Sequence, residues 1–132
     1  MAEHPHITLV RRGYEAFSTG DMATLAQIIA HDAVHHVGGH SPMTGDYKGF
    51  EAIMDYYRRT MEETDGTFKI EIQSLAADGH GHVMARHHVT AKRRGREFDG
   101  SGGLFFEIMN NQAIDIIQVE DDLDAVDQFW TD

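Results

Sequence analysis

No cysteine occurs among the 132 residues. That excludes disulfides, thiolate metal sites, iron–sulfur clusters and cysteine nucleophiles. No apolar run approaches the roughly 18 residues that a membrane-spanning helix needs. Residues 1–10 lack a basic start followed by an apolar stretch, so no secretory signal is expected, and the expected location is cytoplasmic. Basic residues are scarce: 11 Lys and Arg stand against 22 Asp and Glu, a net charge of −11. A surface that negative disfavours nucleic acid and anionic membranes as partners, because both are polyanions. There is no Gly-x-Gly-x-x-Gly, no phosphate loop, no nucleophile elbow and no His-Glu-x-x-His. Repeats, low-complexity segments and linkers are also missing.

The chain reads as a single domain over 1–132, long enough to hide roughly two-thirds of its surface. Apolar residues make up 41% and charged residues 25%, close to a globular average. Histidine is abundant, with ten in the chain. Protonating all ten would move the charge from −11 to about −1, so solubility is expected to fall between about pH 6 and pH 5. Lys92, Arg93, Arg94 and Arg96 surround Gly95 and read as a solvated hairpin tip. Glu120, Asp121, Asp122, Asp124, Asp127 and Asp132 read as the wet side of a terminal helix.

His4-Pro5 marks a helix start, and Ile7, Val10, Tyr14 and Phe17 recur at helical spacing. Thr19-Gly20-Asp21 ends that helix, and Asp21 can cap the next. Met22, Leu25, Ile28 and Ile29 form the second helix's expected buried face. Residues 32–37 suit a strand, and residues 38–42 and 44–46 read as loop. A third helix runs over about 50–63, with Ile53, Met54, Tyr57 and Met61 on one side. Four strands follow. Phe68, Ile70 and Ile72 alternate with polar residues, and Asp78-Gly79 signals a hairpin. Residues 82–92 carry Val83, Ala85, His87, Val89 and Ala91 on one face. Residues 98–109 are interrupted by Gly100, Gly102 and Gly103, which suggests a bend or bulge. Residues 113–119 make the last strand, and Leu123, Val126, Phe129 and Trp130 a short last helix. The order ααβα followed by a four-strand meander, five strands in all, belongs to the α+β class.

Three stretches together resemble the SnoaL-like branch of the nuclear-transport-factor-2-like superfamily. They are Tyr14-Glu15-Ala16-Phe17-Ser18-Thr19-Gly20-Asp21 with Asp32-Ala33-Val34-His35-His36-Val37, then Gly39-His40-Ser41-Pro42-Met43-Thr44-Gly45-Asp46-Tyr47-Lys48-Gly49, then Ala113-Ile114-Asp115-Ile116-Ile117-Gln118 leading to Phe129-Trp130. The resemblance implies a cone, in which a strongly curved antiparallel or mixed sheet wraps around three N-terminal helices, with a short C-terminal helix and a pocket at the open end. It implies ketosteroid-isomerase-like or polyketide-cyclase-like chemistry in some members and no catalysis in many. It also implies a homodimer through the outer sheet face. Fold alone does not settle function.

The chain departs from the isomerase-type members, which use a helix-1 tyrosine, a carboxylate ending the first strand and a protonated aspartic acid on a later strand. Those positions fall on Gly13 (with Tyr14 adjacent), near His36 and Val37, and near Leu104, so neither carboxylate is in place. Relatives often carry Trp-His-Val-Pro where this chain has His35-His36-Val37-Gly38, and Glu where it has Asp115.

The expected catalytic set is His36 as base, Asp115 to orient it or shuttle a proton, His87, and Tyr14 as an oxyanion donor. Whether His35 or His36 faces inward depends on one residue of register. His35, His40, Phe17, Tyr57, Leu104, Phe106, Ile117 and Trp130 are the expected substrate-binding lining. Adjacent strand residues such as His87 and His88 point to opposite faces, so no metal site and no cofactor are expected. The expected partner is a hydrophobic small molecule with one or two oxygens. Three readings follow: a cofactor-independent cyclase or isomerase acting on a hydrophobic carbonyl compound, a non-catalytic module for an apolar metabolite, and an oligomerisation domain with a filled cavity.

Overall fold

A computed structural model describes residues 2–132. Helix α1 (Pro5–Thr19) starts where the His4 ring accepts the His6 N–H, and it stops at Gly20 in a left-handed conformation, φ 71°. Asp21 caps α2 (Met22–Ile28) by accepting the Thr24 N–H at 3.0 Å. Met22, expected on the buried face, is exposed, because it opens the helix on its wet side. Ile29 is not helical. It begins β1 (Ile29–Val37), three residues earlier than the sequence pattern suggests.

Gly45 and Asp46, expected as loop, open a sixth strand, β2 (Gly45–Lys48). It is a short edge strand ending at Gly49, φ 93°, too brief to show a period. Helix α3 (Phe50–Glu63) buries Ile53, Met54, Tyr56 and Thr60. Tyr57 and Met61, expected on that face, are half-buried. Tyr56 reaches further in because its ring stacks on Tyr47 of β2, centroids 4.5 Å apart.

The rest is β3 (Lys69–Ala77), β4 (His82–Arg93), β5 (Arg96–Met109), β6 (Gln112–Glu120) and α4 (Leu123–Trp130). The sheet order is β2-β1-β6-β5-β4-β3. Only β1 and β6 pair in parallel; the other neighbours are antiparallel. The fold is therefore α+β with a mixed open sheet. The main core joins α1, α2 and α3 to the sheet through Leu9, Val10, Leu25, Ile53, Val83 and Ile116, among others. A second cluster, with Met43, Tyr56, Ala91, Phe129 and Trp130, sits under α4.

The β5 glycines produce no bulge against β4, whose pairing runs unbroken from His82↔Glu107 to Arg93↔Arg96. They allow close approach instead. A Cβ on Gly103 would lie 2.3 Å from the Ala85 carbonyl oxygen, and one on Gly102 would lie 2.5 Å from that of Val119. The basic turn is only partly solvated. Arg93 continues the inward alternation of β4, and its side chain is 3% exposed. It bonds the Phe129 carbonyl and Asp132, while Arg96 bonds the Thr131 carbonyl. These cations meet the carbonyl end of α4, where the helix dipole is negative. On the outer face Met84, Phe105 and Ile117 stand in one cross-strand row, all exposed. Among the described residues no helix is long and apolar enough to cross a membrane.

Candidate functional site

The concave face of the sheet, α1, α3 and α4 enclose a cavity of about 110 Å³. Its walls are mainly apolar, with Val10, Phe17, Ile70, Phe98, Leu104 and Phe106 among them. An apolar hollow strengthens any polar interaction placed in it, because little water competes. Two polar groups of side chains look inward.

The first pairs α1 with β4. Tyr14 Oη lies 2.7 Å from His87 Nδ1. The alternation of β4 that buries Val83, Ala85 and Val89 also buries His87, which is 4% exposed. Burial pushes its imidazole down to about 4, with the Arg86 charge adding to the fall. Burial raises the Tyr14 phenol. Both groups are therefore neutral near pH 7. With Tyr14 donating to Nδ1, the ring proton of His87 sits on Nε2, which has no protein partner among the described residues.

The second joins β1, α3 and β6. Gln118 Nε2–H donates to Glu120 Oε2 at 2.9 Å. That turns Gln118 Oε1 toward the helix, where it accepts from Tyr56 Oη and from His35 Nε2–H, each at 3.0 Å. His35 Nδ1 then accepts from Tyr57 Oη at 3.1 Å. Every polar atom of His35 is satisfied, as a ring 1% exposed requires. Burial holds its imidazole down at about 4. Burial also raises the Glu120 carboxyl, against the opposing bond from Gln118.

His36 and Asp115 do pair, with Nε2–H donating to Asp115 Oδ1 at 2.8 Å. They do so on the outer face of the sheet, and neither lines the cavity. His36 Nδ1–H also donates to Asp46 Oδ1 at 2.8 Å. Two carboxylate partners, Asp46 first and then Asp115, raise its imidazole above the ordinary value. The inward histidine of β1 is His35. Ile117 likewise points outward, and Ile116 takes the inward place. The reason is a bulge: Glu107 pairs with Asp115 but Ile108 pairs with Ala113, which leaves Ile114 unpaired. That extra residue reverses the alternation, so Ala113 and Ile116 are both buried. His40 is exposed on the loop before β2, where its backbone N–H bonds Asp127 at 3.0 Å. Of the expected lining, His35, Phe17, Tyr57, Leu104, Phe106 and Trp130 face the cavity, as do Tyr14 and His87.

Sequence reasoning missed Tyr56, Gln118 and Glu120. Gln118 and Glu120 share a period of two with Ile116, but nothing local marks the bulge that turns that set inward. Among the described residues no three His, Asp or Glu side chains converge as a metal site would require.

A mixed six-strand sheet packed against three helices, with a mainly apolar cavity between them, defines the architecture. Residues 10–117 match the family described as SnoaL-like domain, and the chain belongs to that family. It is similar to Bal32a from a soil-derived mobile gene cassette, at 39% identity over 96% of both chains and a TM-score of 0.93. It shares the fold of a putative SnoaL-like polyketide cyclase from Jannaschia sp. CCS1, with a TM-score of 0.80 at 15% identity over 98% of this chain and 93% of that one. An uncharacterized protein of Mycobacterium tuberculosis is 25% identical over 98% of this chain and 99% of its own length.

Proposed function

We propose that this protein takes a hydrophobic carbonyl compound into the cavity and acts on it by acid–base chemistry of the cyclase or isomerase type, without a cofactor. One observation carries the reading: a mainly apolar hollow contains two neutral imidazoles, each bonded to a tyrosine. Apolar walls draw a greasy molecule from water, and a few oriented donors hold its oxygen. Neutral imidazoles make the hollow unattractive to anions and suit an uncharged ligand. A cavity of about 110 Å³ is somewhat smaller than the roughly 150 Å³ engineered cavity that holds benzene. A single ring bearing one oxygen therefore enters only with some outward movement of the lining side chains. The fold shared with a putative SnoaL-like polyketide cyclase is in keeping with a cyclase-type reading.

The test is a titration of 2-cyclohexen-1-one into 15N-labelled protein, followed by NMR. Saturable shifts at Tyr14, His35, His87 and Gln118 are expected. Shifts confined to the outer sheet face, or none, overturn the reading.

The non-catalytic alternative, a module that holds an apolar metabolite, draws on the pairing inside the second polar group. There Tyr56, Tyr57, His35 and Gln118 bond one another, which suits a wall that orients a ligand without changing it. The same titration with no turnover would favour it.

A further inference from the structure

A cluster of nucleophilic and titratable side chains lies on the outer face of the sheet, apart from the cavity. It is built on β4 and β5, whose pairing sets His88 opposite Ser101 and Thr90 opposite Asp99. Strand positions two apart share a face, so Asp99 and Ser101 look outward together and His88 stands beside them. None of the three lines the cavity. His88 Nε2–H donates to Asp99 Oδ1 at 2.8 Å. The lone pair of the ring is then on Nδ1, and Ser101 Oγ lies 3.4 Å from it. Carboxylate, imidazole and hydroxyl stand in the order that general-base activation of a nucleophile requires. At 3.4 Å the last contact is longer than the roughly 2.6–3.2 Å of a poised pair, and such contacts tighten once a substrate is seated.

Two further features surround the hydroxyl. The pairing of β3 steps from Ile72 opposite His87 to Ser74 opposite Arg86, which leaves Gln73 as an extra residue on the outside. Its amide reaches across β4, and Nε2–H donates to Ser101 Oγ at 3.4 Å. With that bond accepted, the hydroxyl hydrogen of Ser101 is directed at His88. Along β5 the next outward position is Gly103, which has no side chain, and Val119 stands opposite it. Val119 Cγ2 lies 3.7 Å from the place of the missing Cβ, and Phe105 follows two residues on. Val119 and Phe105 are both exposed. At the rise of a strand, Gly103 is about 7 Å from Ser101. A bare strip of that length, edged by apolar side chains, therefore adjoins the nucleophile.

We propose that Ser101, His88 and Asp99 are an acyl-transfer site on the outer face, hydrolysing esters of short-chain apolar carboxylic acids. The acyl chain lies over Gly103 against Val119, and the alcohol portion faces solvent. Asp99 beside the site and the net charge of −11 disfavour an anionic acyl group. In the first step Ser101 Oγ bonds to the ester carbon while its proton passes to His88 Nδ1, and the carbonyl π pair moves onto oxygen beside the Gln73 amide. That pair then returns, the bond to the alcohol oxygen breaks, and this oxygen takes the proton from Nδ1. Water attacks the acyl-serine in the same way and gives a proton to Nδ1. The bond to Oγ breaks, Oγ recovers the proton, and the carboxylic acid leaves. Nothing is oxidised or reduced. Asp99 fixes the tautomer of the ring and offsets the charge it gains while protonated. The inference is independent of what the cavity binds.

The test has two readouts. The first is hydrolysis of p-nitrophenyl butyrate, followed by release of p-nitrophenolate. Wild-type protein is expected to exceed buffer. Ser101→Ala and His88→Asn should each lower the rate at least about 10-fold, the remainder coming from other exposed imidazoles. Asp99→Asn should lower it less. The second is covalent labelling of wild-type protein by an uncharged alkyl fluorophosphonate, which traps activated serines, with the site mapped by peptide mass spectrometry. Label on Ser101 is expected, and this readout needs no variant to fold. An unchanged rate in Ser101→Ala overturns the proposal and assigns the hydrolysis to surface imidazoles alone. No rate above buffer, or Ser101 left unlabelled, overturns it as well.

Discussion

His35 and His36 are consecutive in β1 and face opposite sides of the sheet, the first bonded to Tyr57 and Gln118 inside, the second to Asp46 and Asp115 outside. The same residue type thus titrates in opposite directions one position apart. In an NMR titration of the ring Cε1–H signals, His36 should titrate above 6.5 and His35 and His87 near 4. A common midpoint for all three would contradict the placement.

Stability should follow the two buried rings. Their folded values are depressed, so the stability they contribute is complete above the unfolded value of about 6.5 and is lost as pH falls toward 4. Each contributes a slope of about 1.4 kcal/mol per pH unit across that window. His36 works the other way. Its contribution is present below its unfolded value and is lost as pH rises through the raised folded one. With its side chain 38% exposed, that contribution is at most about 1 kcal/mol. Urea unfolding at a series of pH values should therefore show a net fall from pH 6.5 to 4. His87→Gln should flatten the fall, whereas His36→Gln should leave it unchanged.

Tyr14→Phe removes the partner of His87 Nδ1 and leaves that nitrogen buried. The expected cost is about 1–3 kcal/mol, read from the urea midpoint at neutral pH. A cost near zero would mean that water or another group replaces the phenol without loss.

Gly103→Ala should be among the more damaging single-methyl changes in the chain. Its Cβ meets a backbone carbonyl, Ala85 O, at 2.3 Å, and backbone in the middle of a sheet cannot step aside. A loss of about 2 kcal/mol or more is expected by thermal or urea unfolding. Gly95→Ala is the control for space, since nothing lies within 4 Å of its Cβ, although its φ of 76° carries some strain.

Solubility should fall between about pH 6 and pH 5, but less than histidine content alone suggests. His35 and His87 stay neutral there, so two of the ten histidines add no charge and the protein remains more negative. Light scattering across that range, on wild type and on His35→Gln, should show nearly the same curve.

Much of the architecture is legible in the residues. His4-Pro5, Gly20 and Asp21 set helix ends through local hydrogen bonds and backbone preference, which need no distant partner. The run Val83, Ala85, His87, Val89, Ala91 shows which face of β4 is buried, because its strand pairs with β5 without interruption. The candidate site was legible only in part. His87 and Tyr14 lie on elements whose periods are unbroken, and they were found. His35, expected in the lining, faces the cavity as well, whereas Gln118 and Glu120 lie past the register shift of β6, and there the period misleads.

The amino-acid sequence by itself determined the order of the helices and of every strand but β2, the caps between them and the excess of negative charge, since each depends on neighbours a few positions away. Which side of β1 and β6 became the inside was decided only in the tertiary structure. A strand repeats every two residues, so one unpaired residue at Ile114 exchanges its faces, and that residue is unpaired only because β5 lies beside it.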